Sequence, residues 1–181
     1  MTNTNEILWE LGSSDLPAID GSNVVLPDAS SGPVHETPPL EENLYFGGLP
    51  RLHVNVNTAT VGGQLYALLE DCNEGVCIHI GHAIMDLRYH AGGSDVQTWN
   101  PLTDEITALM EFFPMDVEVE AGHTIRLSLR STGEDYLPSA ASSISTIIDS
   151  GSTLQLDTFD PSTREYYQTV QCTAQVCLTN A

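Results

Sequence analysis

The sequence predicts an all-β fold, an antiparallel β-sandwich, on the strength of two observations. Apolar and polar residues alternate in several short segments, and glycine-containing turn sequences separate those segments. Strict alternation places one face of a strand on a core and the other in water, which is typical of antiparallel sheets. Several short strands separated in this way indicate a β-sandwich or a jelly roll.

The alternation begins at about residue 44. Its apolar positions are Leu52, Val54 and Val56; Val117 and Val119; Ile125, Leu127 and Leu129; and Leu154 and Leu156. The turn signals are Gly62-Gly63, Asn73-Glu74-Gly75, Gly92-Gly93, Ala121-Gly122 and Asp149-Ser150-Gly151. Each apolar series predicts a strand, and each turn signal predicts the end of one.

One segment, residues 101–113, fits two periods. Leu102, Ile106, Leu109 and Phe113 have nearly helical spacing, whereas Ile106, Ala108, Met110 and Phe112 alternate as in a strand. We favour the strand. Sequence periodicity alone does not decide between the two for so short a segment.

Residues 1–43 differ in composition from the rest of the chain. They contain five prolines and clusters of Gly and Ser, without sustained periodicity. This predicts an extended arm or interdomain linker, followed by a sandwich domain over residues 44–181. The apolar patches Ile7-Leu8-Trp9 and Val24-Val25-Leu26 could dock on a neighbour or add a strand at a sheet edge.

The charge is strongly negative. Five Arg and no Lys stand against 25 acidic residues, a net charge of −20. Such a surface repels phosphate backbones, so we expect no nucleic-acid partner. No apolar run is long enough for a membrane span, and the N-terminus lacks the features of a signal peptide. The Lys-free acidic surface suits high ionic strength or reflects compositional drift.

The four cysteines form two pairs of identical spacing, Cys72 with Cys77 and Cys172 with Cys177. The first pair brackets a predicted hairpin tip, where two cysteines lie at bridging distance. Two local disulfides would imply an oxidising compartment, and hence an extracellular or cell-surface protein. A zinc site with four cysteine ligands, or free thiols, remain alternatives.

No catalytic motif is present: the sequence has no G-x-S-x-G, no P-loop and no H-E-x-x-H. We therefore expect a chain that is not an enzyme and has no catalytic or cofactor-binding residues. His123 stands directly before a predicted strand, and we interpret it as a structural histidine that bonds to nearby backbone. His79 and His82 are three residues apart, so on a regular strand they face opposite ways and would not share a metal.

Two kinds of binding site stay open as alternatives. The acidic clusters Asp71–Gly75 and Asp15–Asp28 could bind calcium, although neither matches an EF-hand loop. Trp99, Tyr136, Tyr166 and Tyr167 could form a sugar-binding platform, although such residues more often pack in a core or an interface.

Three stretches resemble the C-terminal domain of X-Pro dipeptidyl-peptidases and cocaine-esterase-like hydrolases. They are Gly48–Val56; Leu65–Asp71 with Gly75, Ile78–Ile84 and Arg88; and Ala121–Leu129. Their order and spacing agree with that domain over about residues 44–160. Thr124, where a basic residue is common, the cysteine pairs and the acidic surface are departures from it.

The resemblance implies a jelly roll of the galactose-binding type that packs against an α/β-hydrolase domain carrying a Ser-Asp-His triad. No triad residue has a counterpart here, and the motif residues Gly81, Arg88, Gly122 and His123 are implied to be structural. The expected function is a non-catalytic module for interdomain packing or oligomerisation, with an α/β-hydrolase domain or a second copy as partner. The alternatives are a carbohydrate- or surface-binding jelly roll, and a self-assembling surface protein that donates its N-terminal arm as a strand.

Overall fold

The described residues of the computed structural model are 4–10, 24–25, 34–58, 61–131, 133, 136 and 145–159. Within these ranges the regular structure is almost entirely antiparallel β-strand, and the strands form two sheets. The prediction of an all-β sandwich is therefore confirmed. No helix in the described ranges has the length and hydropathy needed to cross a membrane.

The elements follow one another in chain order. They are β1 (Thr4–Glu10), β2 (Val24–Val25), β3 (Val34–Glu36), β4 (Leu44–Thr58), β5 (Gln64–Asn73), β6 (Val76–Asp86), a 3-10 turn (Leu87–Tyr89), β7 (Ile106–Glu111), β8 (Met115–Val119), β9 (Thr124–Arg130) and β10 (Ser145–Phe159). In the six-stranded sheet the order is β1-β10-β4-β7, with β2 also paired to β10 and β8 also paired to β4. The other sheet has the order β3-β9-β5-β6.

The core lies between the two sheets and consists of the apolar positions that alternate in the sequence. The six-stranded sheet contributes alternate side chains of β4, β7 and β10, and the four-stranded sheet contributes those of β5 and β9. The largest fully buried side chains include Phe46, Phe112, Leu52, Leu127 and Leu154. Both sheets cover these side chains, and the burial of their apolar surface supplies the main hydrophobic contribution to the stability of the fold.

Residues 101–113, whose sequence fits both a helical and a strand period, form a strand at their centre. β7 covers Ile106–Glu111 with strictly alternating burial, so the preference for a strand is confirmed. Residues 101–103 form a turn that precedes it.

The turn between β5 and β6 lies where the sequence places it. Glu74 and Gly75 both have positive φ, 50° and 83°, as the two central residues of a tight hairpin turn require. Gly62, Gly63, Gly92, Gly93 and Gly122 also have positive φ, in the other predicted turns.

The turn predicted at Asp149-Ser150-Gly151 is wrong. These residues lie within β10, where the pairing with β4 shifts register between Ile148 and Thr153. The extra residues form an irregularity inside one long strand instead of ending it. The Ser152 hydroxyl accepts a hydrogen bond from the Asn55 backbone N–H at 2.9 Å beside this irregularity.

Parts of the range 1–43 belong to the sheets. β1 pairs with β10 along Thr4–Glu10, so the segment containing Ile7-Leu8-Trp9 adds a strand within its own chain. β2 also pairs with β10, and β3 pairs with β9 in the other sheet. The domain boundary between residues 43 and 44 stays a prediction, and these pairings describe how the arm meets the sandwich.

Candidate functional site

The outer face of the four-stranded sheet carries an ion pair that the sequence does not reveal. Arg126 on β9 donates from Nε and from a terminal nitrogen to Glu36 Oε2 on β3, both at 3.0 Å. The Thr124 hydroxyl donates to Glu36 Oε1 at 2.7 Å. The Thr124 hydrogen bond, followed by the contacts with Arg126, lowers the pKa of Glu36, while partial burial opposes that shift. These bonds fasten the short strand β3 to the sheet.

His79 and His82 meet on this sheet, and the expectation that they face opposite ways is wrong. Glu70 pairs with His79 and Leu69 pairs with Gly81, so Ile80 is an extra residue that forms a β-bulge in β6. Because of the bulge, the alternation of side chains between the two faces of β6 is shifted by one residue on either side of Ile80. His79 Nε2 and His82 Nδ1 consequently lie 3.3 Å apart.

Aromatic side chains surround the His82 ring. Tyr66 stacks on it with centroids 5.6 Å apart, and Phe113 and Tyr136 meet it edge-on at 5.6 and 5.7 Å. The other ring nitrogen, Nε2, lies 2.9 Å from Tyr136 Oη. Gly133 lies flat against Tyr66, because a Cβ there would come within 2.4 Å of the ring. Gly133 and Tyr136 therefore cover one end of this face.

The hairpin tip is closed by a disulfide between Cys72 and Cys77, which face each other across β5 and β6. These two sulfurs are thus bonded to each other, which leaves them unavailable as thiolate ligands of zinc. Cys172 and Cys177 lie outside the described residues, so their predicted pairing stays a prediction.

His123 is held at the start of β9 by a carboxylate. Its Nδ1 lies 2.8 Å from Asp71 Oδ1, and both side chains are largely shielded from solvent. The sequence predicts backbone partners for this ring, whereas the partner found in the structure is the Asp71 side chain. The backbone does contribute elsewhere: Leu40 N–H donates to the His123 carbonyl, and Gly122 N–H donates to the Leu40 carbonyl, each at 2.8 Å. Among the described residues no serine hydroxyl bonds to this imidazole.

Gly81 and Arg88, the other two motif residues of β6 and the 3-10 turn, each make a different structural contact. A Cβ at Gly81 would lie 2.6 Å from Met115 Cε, so the missing side chain lets β6 approach β8 closely. Arg88 forms a two-pronged ion pair with Asp86, whose carboxylate also accepts from the Arg88 backbone N–H at 2.9 Å. The Arg88 side-chain bonds lower the pKa of Asp86, although partial burial opposes them. This contact begins the 3-10 turn.

A shallow depression of about 350 Å³ lies on the outer face of the six-stranded sheet. Its lining consists of Arg51, His53, Ala91, Gly92, Leu109, Met110 and Glu111. Within the described part of the chain, this set includes no serine, threonine or cysteine. It therefore offers no nucleophile beside His53, and the arrangement is not that of a triad.

The other candidate residues are not brought together. Asp71, in the acidic cluster Asp71–Gly75, is engaged by His123, and the described residues contain no group of three or more metal-ligating side chains. Trp99 packs against the core and donates its indole N–H to Thr58 Oγ1 at 2.8 Å, so it is no open sugar platform. Of the range Asp15–Asp28 the structure describes Val24 and Val25 alone, and Tyr166 and Tyr167 lie outside the described residues.

Three solved structures with the same fold are enzymes much longer than this chain. A CocE/NonD family hydrolase from Staphylococcus aureus has a TM-score of 0.62 and 8% identity, and the match covers 87% of this chain and 37% of that one. An α-amino acid ester hydrolase has a TM-score of 0.60 and 14% identity, with 86% and 32% covered. An aminopeptidase from the marine sediment archaeon Thaumarchaeota archaeon has a TM-score of 0.61 and 12% identity, with 88% and 34% covered.

The chain thus spans about a third of the length of these structures, and the likeness at such low identity shows the fold alone. No curated protein matches it. One family model does match, that of the X-Pro dipeptidyl-peptidase C-terminal non-catalytic domain, over residues 11–174. Because this match takes in most of the sequence, the chain belongs to the family of X-Pro dipeptidyl-peptidase C-terminal non-catalytic domains.

Proposed function

We propose that this chain is a non-catalytic module that packs beside an α/β-hydrolase catalytic domain. The observation that carries the proposal is the family match over residues 11–174 to a domain described as C-terminal and non-catalytic. In addition, the chain covers only about a third of each of the hydrolases that share its fold. Reaction chemistry would then lie in another part of the assembly.

The internal pairing of polar side chains supports a non-catalytic role. His123 is bound by Asp71, Glu36 by Arg126 and Thr124, and Asp86 by Arg88. Each of these contacts joins two strands or caps a turn. In a catalytic site we would expect such groups to converge on a pocket instead.

We place the docking surface along β6, the edge of the four-stranded sheet. Val76 and Ile78, which lie two residues apart on β6 and which we term the β6-edge patch, are 68% and 66% exposed, and Phe113, farther along this edge, is 65% exposed. Phe113 follows β7 and touches His82 of β6. Large apolar side chains exposed in this way on an acidic protein are typical of a surface that a partner covers.

The first test is genomic and biochemical. We expect a coding sequence for an α/β-hydrolase domain with G-x-S-x-G in the same gene or beside it. The purified chain should bind that domain in size-exclusion chromatography and calorimetry. Both are measured at about 0.15 M and at about 1 M salt, because repulsion between acidic surfaces is screened over shorter distances at the higher concentration.

Point variants then test the surface. Val76→Ser with Ile78→Ser should weaken the binding at least about tenfold, because apolar area is no longer buried. Leu102→Ser is the matched control, since Leu102 is 91% exposed but lies in the turn at 101–103. Equal binding by the parent chain, the double variant and the Leu102→Ser control would reject the β6-edge patch as the docking surface. Absence of any hydrolase domain to bind would reject the proposed function.

The other candidate functions have less support in the geometry. Strand donation would use a segment that already pairs with β10 of its own chain. A sugar platform would lose Trp99, which packs on the core. For localisation we propose an extracellular or cell-surface setting, which the Cys72–Cys77 disulfide supports because such bonds persist in oxidising compartments.

A further inference from the structure

We propose that His79 and His82 form a zinc-binding site on the edge strand β6. The two facing nitrogens, His79 Nε2 and His82 Nδ1, lie 3.3 Å apart. A tetrahedral zinc ion with Zn–N bonds of about 2.0–2.1 Å holds two imidazole nitrogens about 3.3–3.4 Å apart. Coordination at right angles, as Cu²⁺ and Ni²⁺ prefer, would need about 2.8–3.0 Å. The observed spacing is that of a hydrogen bond between the two rings, and it is also the spacing at which a tetrahedral ion would hold both nitrogens.

The bulge is what makes this pairing possible. On a regular strand, residues three apart lie on opposite faces, but the additional residue at Ile80 brings the two histidines to one face. Bulges are often found beside functional sites, where they redirect a side chain. The interior Gly81 accompanies the bulge and permits the close approach of Met115.

The His82 ring is held in the orientation that a ligand needs. Stacking on Tyr66 and edge contacts with Phe113 and Tyr136 restrict its rotation. Tyr136 Oη lies 2.9 Å from Nε2 and can accept its N–H, which leaves the Nδ1 lone pair on the side that faces His79 and available to a metal. A second-shell acceptor of this kind fixes the tautomer of many zinc-bound histidines.

The surroundings of the site suit a cation with open coordination positions. His79 is exposed and His82 is partly buried, so an ion can enter from solvent. Because the described residues hold no group of three or more ligating side chains, the remaining positions would be filled by water or by a donor from a partner. The net charge of −20 raises the local concentration of cations around the protein.

The test is a zinc titration of the full chain by calorimetry at neutral pH, without reductant. All proteins carry Cys172→Ser and Cys177→Ser, so that thiolates of these residues do not bind the metal. Excess Mg²⁺ occupies carboxylate sites, because it prefers oxygen ligands. We expect one zinc ion per chain, and Co²⁺ in its place should give the intense visible absorption of a tetrahedral site.

Variants locate the ligands. His79→Ala and His82→Ala should each abolish the binding, whereas His53→Ala, which removes an exposed histidine from β4, should leave it unchanged. Tyr136→Phe keeps the ring and removes the hydroxyl, and it should weaken zinc binding about tenfold. Circular dichroism confirms that each variant is folded. Zinc should also raise the Tm of the parent protein but not that of His79→Ala.

Three results would overturn the proposal. They are the absence of zinc binding by the parent protein, unchanged binding after His79→Ala, and an equal loss after His53→Ala. The chain is tested alone, so these outcomes are separate from the failure of the hydrolase-docking proposal.

Discussion

The outer faces of the two sheets differ although both come from alternating sequences. On the six-stranded sheet, β4 and β7 pair without a register shift, whereas the shifts of that sheet lie between β4 and β10, and the outward residues His53, Thr107 and Glu111 are exposed. On the four-stranded sheet, a bulge interrupts the pairing of β5 with β6, and the outward polar groups make partly buried contacts. The described part of one face thus presents exposed polar side chains to solvent, whereas that of the other pairs polar side chains with one another.

Each face carries one arginine–glutamate ion pair among the described residues, and the two pairs differ in burial. Arg126 and Glu36 have side chains 32% and 31% exposed and share two hydrogen bonds, whereas Arg51 and Glu111 are 49% and 62% exposed and meet at one contact of 3.3 Å. Exposed ion pairs contribute little because water and salt screen them. We therefore expect unequal effects when the two arginines are replaced.

The largest effect is expected from Arg126→Ala, which should lower the free energy of unfolding by about 1–2 kcal/mol because Glu36 loses a charged partner. Arg51→Ala is the matched control and should cost less than about 0.5 kcal/mol. Urea denaturation measures both without adding salt. Equal losses would show that the two faces do not differ in the way described.

A smaller effect is expected from the pH dependence of Glu36. Its pKa lies below the usual range, so the carboxylate stabilises the fold above about pH 4–5, and this contribution is lost as the pH falls through the lowered pKa. Glu36→Gln should thus be less stable than the parent protein at pH 7, by about 1 kcal/mol or less. The difference should shrink in acid.

Urea unfolding of both proteins from pH 7 down to about pH 3 measures this difference. Asp86 also has a lowered pKa, so only the difference between the two proteins reports on Glu36. A difference that grows on acidification would contradict the assignment.

The local pattern predicts most of the fold. Alternating residues locate β7, β9 and the central part of β4, because a strand with one buried face repeats every two residues. The turn at Glu74-Gly75 is predictable because few residues accept positive φ. The pairing of Thr4–Glu10 with β10 could not be predicted in detail, because its partner is more than 140 residues away in the chain.

The two missed features of the site have different physical causes. A bulge changes which face a residue occupies, and the alternation rule assumes that none is present. Gly81, inside an otherwise apolar strand next to His82, was the available signal, since an interior glycine often marks a bulge. The Glu36–Arg126 pair carries no local signal, because the two residues are 90 positions apart and meet only through the pairing of β3 with β9.

The central claim is that this sandwich carries no reaction chemistry of its own. The most direct test is turnover of an activated ester and of an X-Pro amide by the purified chain, compared with buffer and with His123→Ala. We predict that both proteins give only the buffer rate. Turnover by the parent chain that disappears in His123→Ala would contradict the claim, because the imidazole held by Asp71 would then act as a catalytic base.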